Sequence, residues 1–191
     1  MYKSLNNKVA LVTGAGTGIG RAIAQRLADE GANVLIVGRT ETTLVETAAY
    51  SDKISYLAID LESEDGIRTI IRTVGERYGR LDILVNNAGI IKRNDAIDYT
   101  EEDWDSVVFL NQKFTFFLCQ AAAKQFIAQK SGGKIINIAS MLSYQGGIRV
   151  PSYTASKSAV LGLTRAMANE WAKYNINVNG IAPGYMATNN T

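Results

Sequence analysis

The sequence has no histidine and one cysteine, Cys119. Without histidine there is no Ser-His-Asp or Cys-His catalysis, no His-ligated metal and no His proton shuttle. A single cysteine excludes an internal disulfide and fits a reducing compartment, so a cytoplasmic protein without a bound metal is expected. No apolar run approaches the ~18 residues of a membrane helix. The polar start, Met1 to Lys8, shows no signal-peptide pattern. The 20 basic and 18 acidic residues are mixed along the chain, which argues against a nucleic-acid or membrane patch. Acid/base chemistry near neutral pH must then come from Tyr, Lys, Asp or Glu with a shifted pKa.

A hydrophobic fraction of 47% is enough for a full core. There is no repeat, low-complexity tract or Pro/Gly/Ser linker, so residues 1–191 are read as one domain. Short Val/Ile/Leu runs at 9–12, 34–37, 54–59, 83–85, 135–138 and 176–181 alternate with segments of helical spacing. Such runs suit strands covered on both faces, and strand–helix alternation implies right-handed crossovers in a parallel sheet. The expected fold is an open, doubly wound α/β sheet. From 104 to 126 the residues Val107, Leu110, Phe114, Phe117 and Phe126 make a helix apolar on several faces. We expect it to cover the sheet and also to pack against another subunit. A second helix, from 153 to 174, carries Val160, Leu163, Met167, Trp171 and Tyr174 at helical spacing.

The first strand runs into Gly14-Ala15-Gly16-Thr17-Gly18-Ile19-Gly20, and a helix follows. The spacing is G-x-x-x-G-x-G and not G-x-G-x-x-G. A glycine turn between strand and helix lets the backbone approach a pyrophosphate at the positive end of the helix dipole. The second strand ends in Gly38-Arg39-Thr40, with no acid until Glu41. An acid there favours NAD and an arginine accommodates NADP, so Arg39 points to the latter.

Tyr153 and Lys157 stand four apart after Pro151, on one face of a helix. Tyr153 then sits in the first turn, where the dipole favours a phenolate, and Lys157 is expected to lower its pKa further. Ser140 closes the fifth strand, at the sheet edge where ligands gather. Asn86-Asn87-Ala88-Gly89 closes the fourth at the same edge. Asn111 lies inside the long helix among Leu110, Phe114 and Phe117. A buried amide there must satisfy a helix irregularity, hold a water, or both.

Thr13-Gly14-x-x-x-Gly18-Ile19-Gly20, Asp60, Asn86-Asn87-Ala88-Gly89, Asn111, Ser140, Tyr153-x-x-x-Lys157 and Pro183-Gly184 together resemble the short-chain dehydrogenases/reductases. The resemblance implies a single-domain Rossmann fold, NAD(H) or NADP(H), and a homotetramer or dimer built on the two apolar helices. It implies that Tyr153 is the acid/base and that Lys157 also holds the nicotinamide ribose. Ser140 would orient the substrate oxygen, and Asn111 would hold a relay water. Gly14, Gly16, Thr17, Gly18, Ile19 and Gly20 would meet the phosphates. Asp60 and Leu61 would border the adenine, Asn87, Ala88 and Gly89 the adenosine side. Pro183, Gly184, Met186 and Thr188 would line the nicotinamide.

The stretches at 133–137, 140–143, 145–157 and 167–191 resemble a branch of that family acting on sugar acids, usually with NAD. A sugar acid needs a cation for its carboxylate. Arg149 is the first candidate, followed by Lys92 and Arg93 after the fourth strand. The alternatives are another polyol, a ketoacyl thioester or a steroid-like alcohol as substrate, or a truncated nucleotide-binding protein without turnover. The resemblance further implies lid helices and a seventh strand, for which residues beyond Thr191 would be needed.

Overall fold

The computed structural model describes residues 4–63 and 65–186. Each apolar run becomes a strand: β1 (Val9–Thr13), β2 (Asn33–Gly38), β3 (Ile54–Ala58), β4 (Ile83–Asn86), β5 (Gly133–Ile138) and β6 (Ile176–Ile181). They form one parallel sheet in the order β3-β2-β1-β4-β5-β6. The order reverses between β1 and β4, which opens a crevice at the carboxyl ends of the central strands.

The helices are α1 (Gly18–Asp29), α2 (Glu41–Ala48), α3 (Gly66–Tyr78), α4 (Glu101–Val108), α5 (Thr115–Gln129) and α6 (Pro151–Trp171). Strand side chains alternate between two cores, which is why the central runs are continuously apolar. Val9, Leu11, Leu35 and Val37 meet Ile70 and Val74 of α3, Leu118 and Phe126 of α5 and Met167 of α6. Ala10, Val12, Val34 and Ile36 meet Ala24 and Ala28 of α1 and Leu44 of α2. Each fully buried Leu, Ile or Phe contributes about 1.5–3 kcal/mol.

The long apolar helix expected over 104–126 is divided. A π-helical segment, Phe109–Phe114, separates α4 from α5. Phe114, Leu118 and Phe126 are buried, while Trp104, Phe117 and Ile127 stay 41%, 43% and 40% exposed, leaving an uncovered apolar outer face.

Polar groups also cross this core. Asn86 Nδ2 donates to Asn137 Oδ1 (2.8 Å) and to Cys119 Sγ (3.1 Å), and Asn137 Nδ2 donates to Thr164 Oγ1 (2.9 Å). The network ties β4, β5, α5 and α6 together next to the crevice. Burial pushes the Cys119 thiol up to about 12, so it stays neutral and unreactive.

Candidate active site

The glycine turn is shaped by close contacts. Gly14 has φ +63°, a conformation that favours glycine, and a Cβ there would lie 2.8 Å from Ala88 Cα. A Cβ on Gly20 would lie 2.4 Å from Gly14 O and 2.5 Å from Asn87 Nδ2. Asn87 Nδ2 donates to Thr13 O and Gly14 O, both at 3.0 Å. Thr13 Oγ1 accepts from Asn87 N (3.0 Å) and Ala88 N (2.9 Å). The loop after β4 is thus stitched to the loop after β1.

Thr17 caps α1 without a side-chain capping bond, and no acid lies in the first turn. The positive end of α1 therefore opens onto the crevice. Gly20→Ala should destabilise the fold by about 1–3 kcal/mol, because its neighbours are backbone and a fixed amide. A thermal melt and an NAD(P)H fluorescence titration check this, with weaker cofactor binding expected beside the lower melting point.

The crevice is a cleft of about 470 Å³. Gly14, Gly16, Thr17, Gly18 and Ile19 line one end, with Arg39, Thr40 and Thr43 at the tip of β2. Asn87, Ala88 and Gly89 line its centre, and Ser140, Tyr153 and Lys157 the far end. Pro183, Gly184 and Met186 close one side. Gly20 is buried behind the turn. Asp60 and Leu61 also lie outside the cleft lining: Asp60 Oδ1 accepts from Glu62 N (3.0 Å), and Leu61 is buried in the core. Asp60 stays exposed at the turn after β3. Thr188 lies outside the described residues.

Pro151 opens α6 at a position where its missing N–H loses nothing, and this puts Tyr153 in the first turn. Lys157, one turn on, is buried. Its Nζ donates to Ile138 O (2.6 Å) and stands 5.8 Å from the centre of the Tyr153 ring. Burial lowers the Lys157 pKa to about 8. Burial also raises the Tyr153 phenol above its ordinary value. A hydrogen bond from Ser140 and the field of Arg93 pull it partly back. The Lys157 ammonium is itself desolvated and fastened to the end of β5, and the cation whose field lowers the phenol here is Arg93.

Ser140 is held by its own turn. Ser140 N donates to Ser143 Oγ (3.2 Å), which donates to Lys157 O (2.7 Å). Ser143 thereby joins the Ser140 turn to α6. Its position three residues after Ser140 was the available signal, a capping box.

Asn111 sits in the π-helical segment, but its side chain bonds groups outside that segment. Its Oδ1 accepts from Ile90 N (2.9 Å), and Nδ2 donates to Ile90 O (3.0 Å) and Ser156 Oγ (3.1 Å). Ser156 Oγ donates to Tyr153 O (2.9 Å). Asn111 therefore ties the segment after β4 to the turn that carries Tyr153, and both its amide hydrogens are taken.

The three candidate cations separate. Lys92 Nζ pairs with Asp103 (3.2 Å). Arg149 Nε pairs with Asp95 (3.0 Å), more than half exposed and outside the cleft lining. Arg149 was the first candidate by its place between Ser140 and Tyr153, but a φ of +63° turns the chain there and sends the side chain to Asp95. Arg93 lines the cleft with Ser140 and Tyr153. Gln145, unmarked by any motif, lines it too.

The family profile described as short chain dehydrogenase matches residues 8–191, and the chain belongs to that family. It is similar to the 2-dehydro-3-deoxy-D-gluconate 5-dehydrogenase of Escherichia coli, 59% identical over 98% of this chain and 75% of the relative. The enzyme of the same name from Dickeya dadantii is 55% identical over 98% of this chain and 75% of its own. A crystal structure of a candidate 2-deoxy-d-gluconate 3-dehydrogenase from Agrobacterium tumefaciens with bound NADP superposes with a TM-score of 0.88, at 49% identity, over 100% of this chain and 76% of the other.

Family membership makes the protein an NAD(P)-dependent oxidoreductase of CH–OH groups. The cleft fits that cofactor. A Cβ at Gly16 would lie 2.4 Å from Thr43 Oγ1, so a larger residue would crowd Thr43 at the phosphate end of the cleft.

Proposed function

We propose that this protein moves hydride between NAD(P) and the carbonyl/secondary-alcohol pair of a hexonate-type sugar acid, of the 2-deoxy-D-gluconate or 2-dehydro-3-deoxy-D-gluconate kind. The observation that carries the reading is Arg93, a guanidinium in the same cleft as Ser140 and Tyr153. A guanidinium matches a carboxylate with two parallel hydrogen bonds. The names of the relatives support the same substrate class.

When bound, the nicotinamide supplies hydride to the carbonyl carbon or takes it from the alcohol. Ser140 orients the substrate oxygen. Tyr153 donates a proton to that oxygen in reduction and removes it in oxidation. Lys157 holds the nicotinamide ribose. Asn111 fixes the Tyr153 turn through Ser156, and a relay water there would use an acceptor, since its donors are taken. Pro183, Gly184 and Met186 flank the nicotinamide, and Gln145 reaches the substrate hydroxyls. The helix N-terminus and the turn at 14–18 take the pyrophosphate. The exposed Trp104 of α4 and Phe117 and Ile127 of α5 support a homotetramer or dimer joined along these helices, and the single cysteine supports action in the cytoplasm.

Arg39 lines the cofactor end and is exposed, where a 2′-phosphate would meet it. Initial rates with NADH and NADPH against keto-deoxy sugar acids and neutral ketoses test the whole reading. Acids should exceed neutral ketoses in kcat/KM by roughly 10–100-fold, the scale of one charged hydrogen bond. Arg39→Ala should raise the KM for NADPH about tenfold and that for NADH less than about twofold. Equal rates on acids and neutral ketoses would overturn the substrate class.

A further inference from the structure

Arg93 is carried by a loop, between β4 and α4, whose only regular element among the described residues is a short turn at Ala96–Asp98. Loops of this kind hold a side chain in place only where they are tied down. The ties flank Arg93 on both sides. On one side Lys92 pairs with Asp103 (3.2 Å), and Lys92 O accepts from Tyr99 Oη (3.3 Å). On the other, Asn94 N donates to Arg149 O (3.0 Å), and Arg149 Nε pairs with Asp95 Oδ1 (3.0 Å). Tyr99 Oη also bonds Ser152 Oγ (2.6 Å), the residue before Tyr153. Arg149 thus grips two successive residues of the loop, one with its carbonyl and one with its guanidinium. It does so at φ +63°, a strained conformation for a residue with a Cβ.

We propose that Arg149 and Asp95 form a latch that holds Arg93 over the substrate end of the cleft. Arg149 is then a positioning residue for the sugar-acid carboxylate and not its ligand. This rests on Arg93 being that ligand. The latch bridges the loop bearing the carboxylate anchor to the entry of the helix bearing the proton donor. It sets the distance between the two ends of the substrate, and small misplacements of such groups are kinetically expensive. The pair is exposed, so it adds little to global stability.

The test is steady-state kinetics on the full chain with a sugar acid and its neutral polyol or ketose counterpart. The variants are Asp95→Asn, Arg149→Gly, the exchange Asp95→Arg with Arg149→Asp, and Arg93→Ala. Glycine keeps the left-handed backbone and its carbonyl while removing the guanidinium, and aspartate tolerates that conformation. Asp95→Asn and Arg149→Gly should each raise KM for the acid about tenfold, with kcat and the neutral substrate within about twofold. Melting points should be unchanged, and the exchange should recover most of the loss. If Arg149→Gly raises KM while Asp95→Asn leaves or lowers it, Arg149 is a direct ligand and the latch is wrong. If Arg93→Ala raises KM and neither latch variant does, the latch is again wrong and the Arg93 reading stands. If Arg93→Ala leaves the acid preference intact, the Arg93 reading fails and the latch falls with it.

Discussion

Tyr153→Phe should fold, bind cofactor and lose roughly 10²–10⁴ of kcat, the range that one positioned acid/base contributes. The change deletes one oxygen from a ring that the first turn of α6 already fixes. Its neighbours, Ser140, held by Ser143 and Leu142, and Lys157, bonded to Ile138 O, keep their own partners. Stability should therefore move little, and the loss should fall on kcat. Because burial raises the phenol, Tyr153 is protonated at neutral pH and suited to carbonyl reduction. Alcohol oxidation needs the phenolate, so its rate should climb with pH while reduction falls. Removing the Arg93 cation should shift that profile to higher pH. Stopped-flow hydride transfer in both directions measures each effect, and wild-type-like turnover in Tyr153→Phe would end this mechanism.

Lys157→Met should abolish most turnover and also change how stability responds to pH. In the folded, cofactor-free protein, burial lowers the ammonium pKa to about 8, against an ordinary 10.5. Below about 8 both states carry the proton, and the full cost of burying the charge is present. Between the two values the unfolded chain binds the proton and the folded one does not, so stability rises with pH. Across that window the parent should gain up to about 3 kcal/mol relative to Lys157→Met. Taking the difference between the two proteins removes the other titrating groups, and also the constant cost of leaving Ile138 O without its donor. Urea unfolding at several pH values measures it. Parallel curves for the two proteins would mean that Lys157 is not desolvated.

The physical reasons for success and failure differ by residue. Val9 to Val12 or Ile135 to Ile138 can be read as strands because a buried parallel strand needs apolar side chains on both faces. Gly14 and Gly20 can be read as a nucleotide turn because strand, turn and helix are contiguous. Tyr153 and Lys157 share a helix face for a local reason, their spacing of four. Asn111 announced itself as a buried amide, but its partners Ile90 and Ser156 lie 21 and 45 residues away. The π-helical break it accompanies has no local signature.

The order of the elements, the sheet they form, the glycine turn and the Ser140, Tyr153 and Lys157 constellation were determined by the sequence itself, because each depends on contiguous patterning or on the chain order of strand ends. Tertiary structure alone decided which cation faces the cleft. Lys92, Arg93 and Arg149 are alike in charge and all lie near a strand end, and only the carboxylates brought to them by folding, Asp103 and Asp95, draw two of them aside. It also decided the proton affinities of Tyr153 and Lys157. Desolvation depends on what packs around a group, and at Tyr153 it outweighs the Ser140 hydrogen bond and the Arg93 charge.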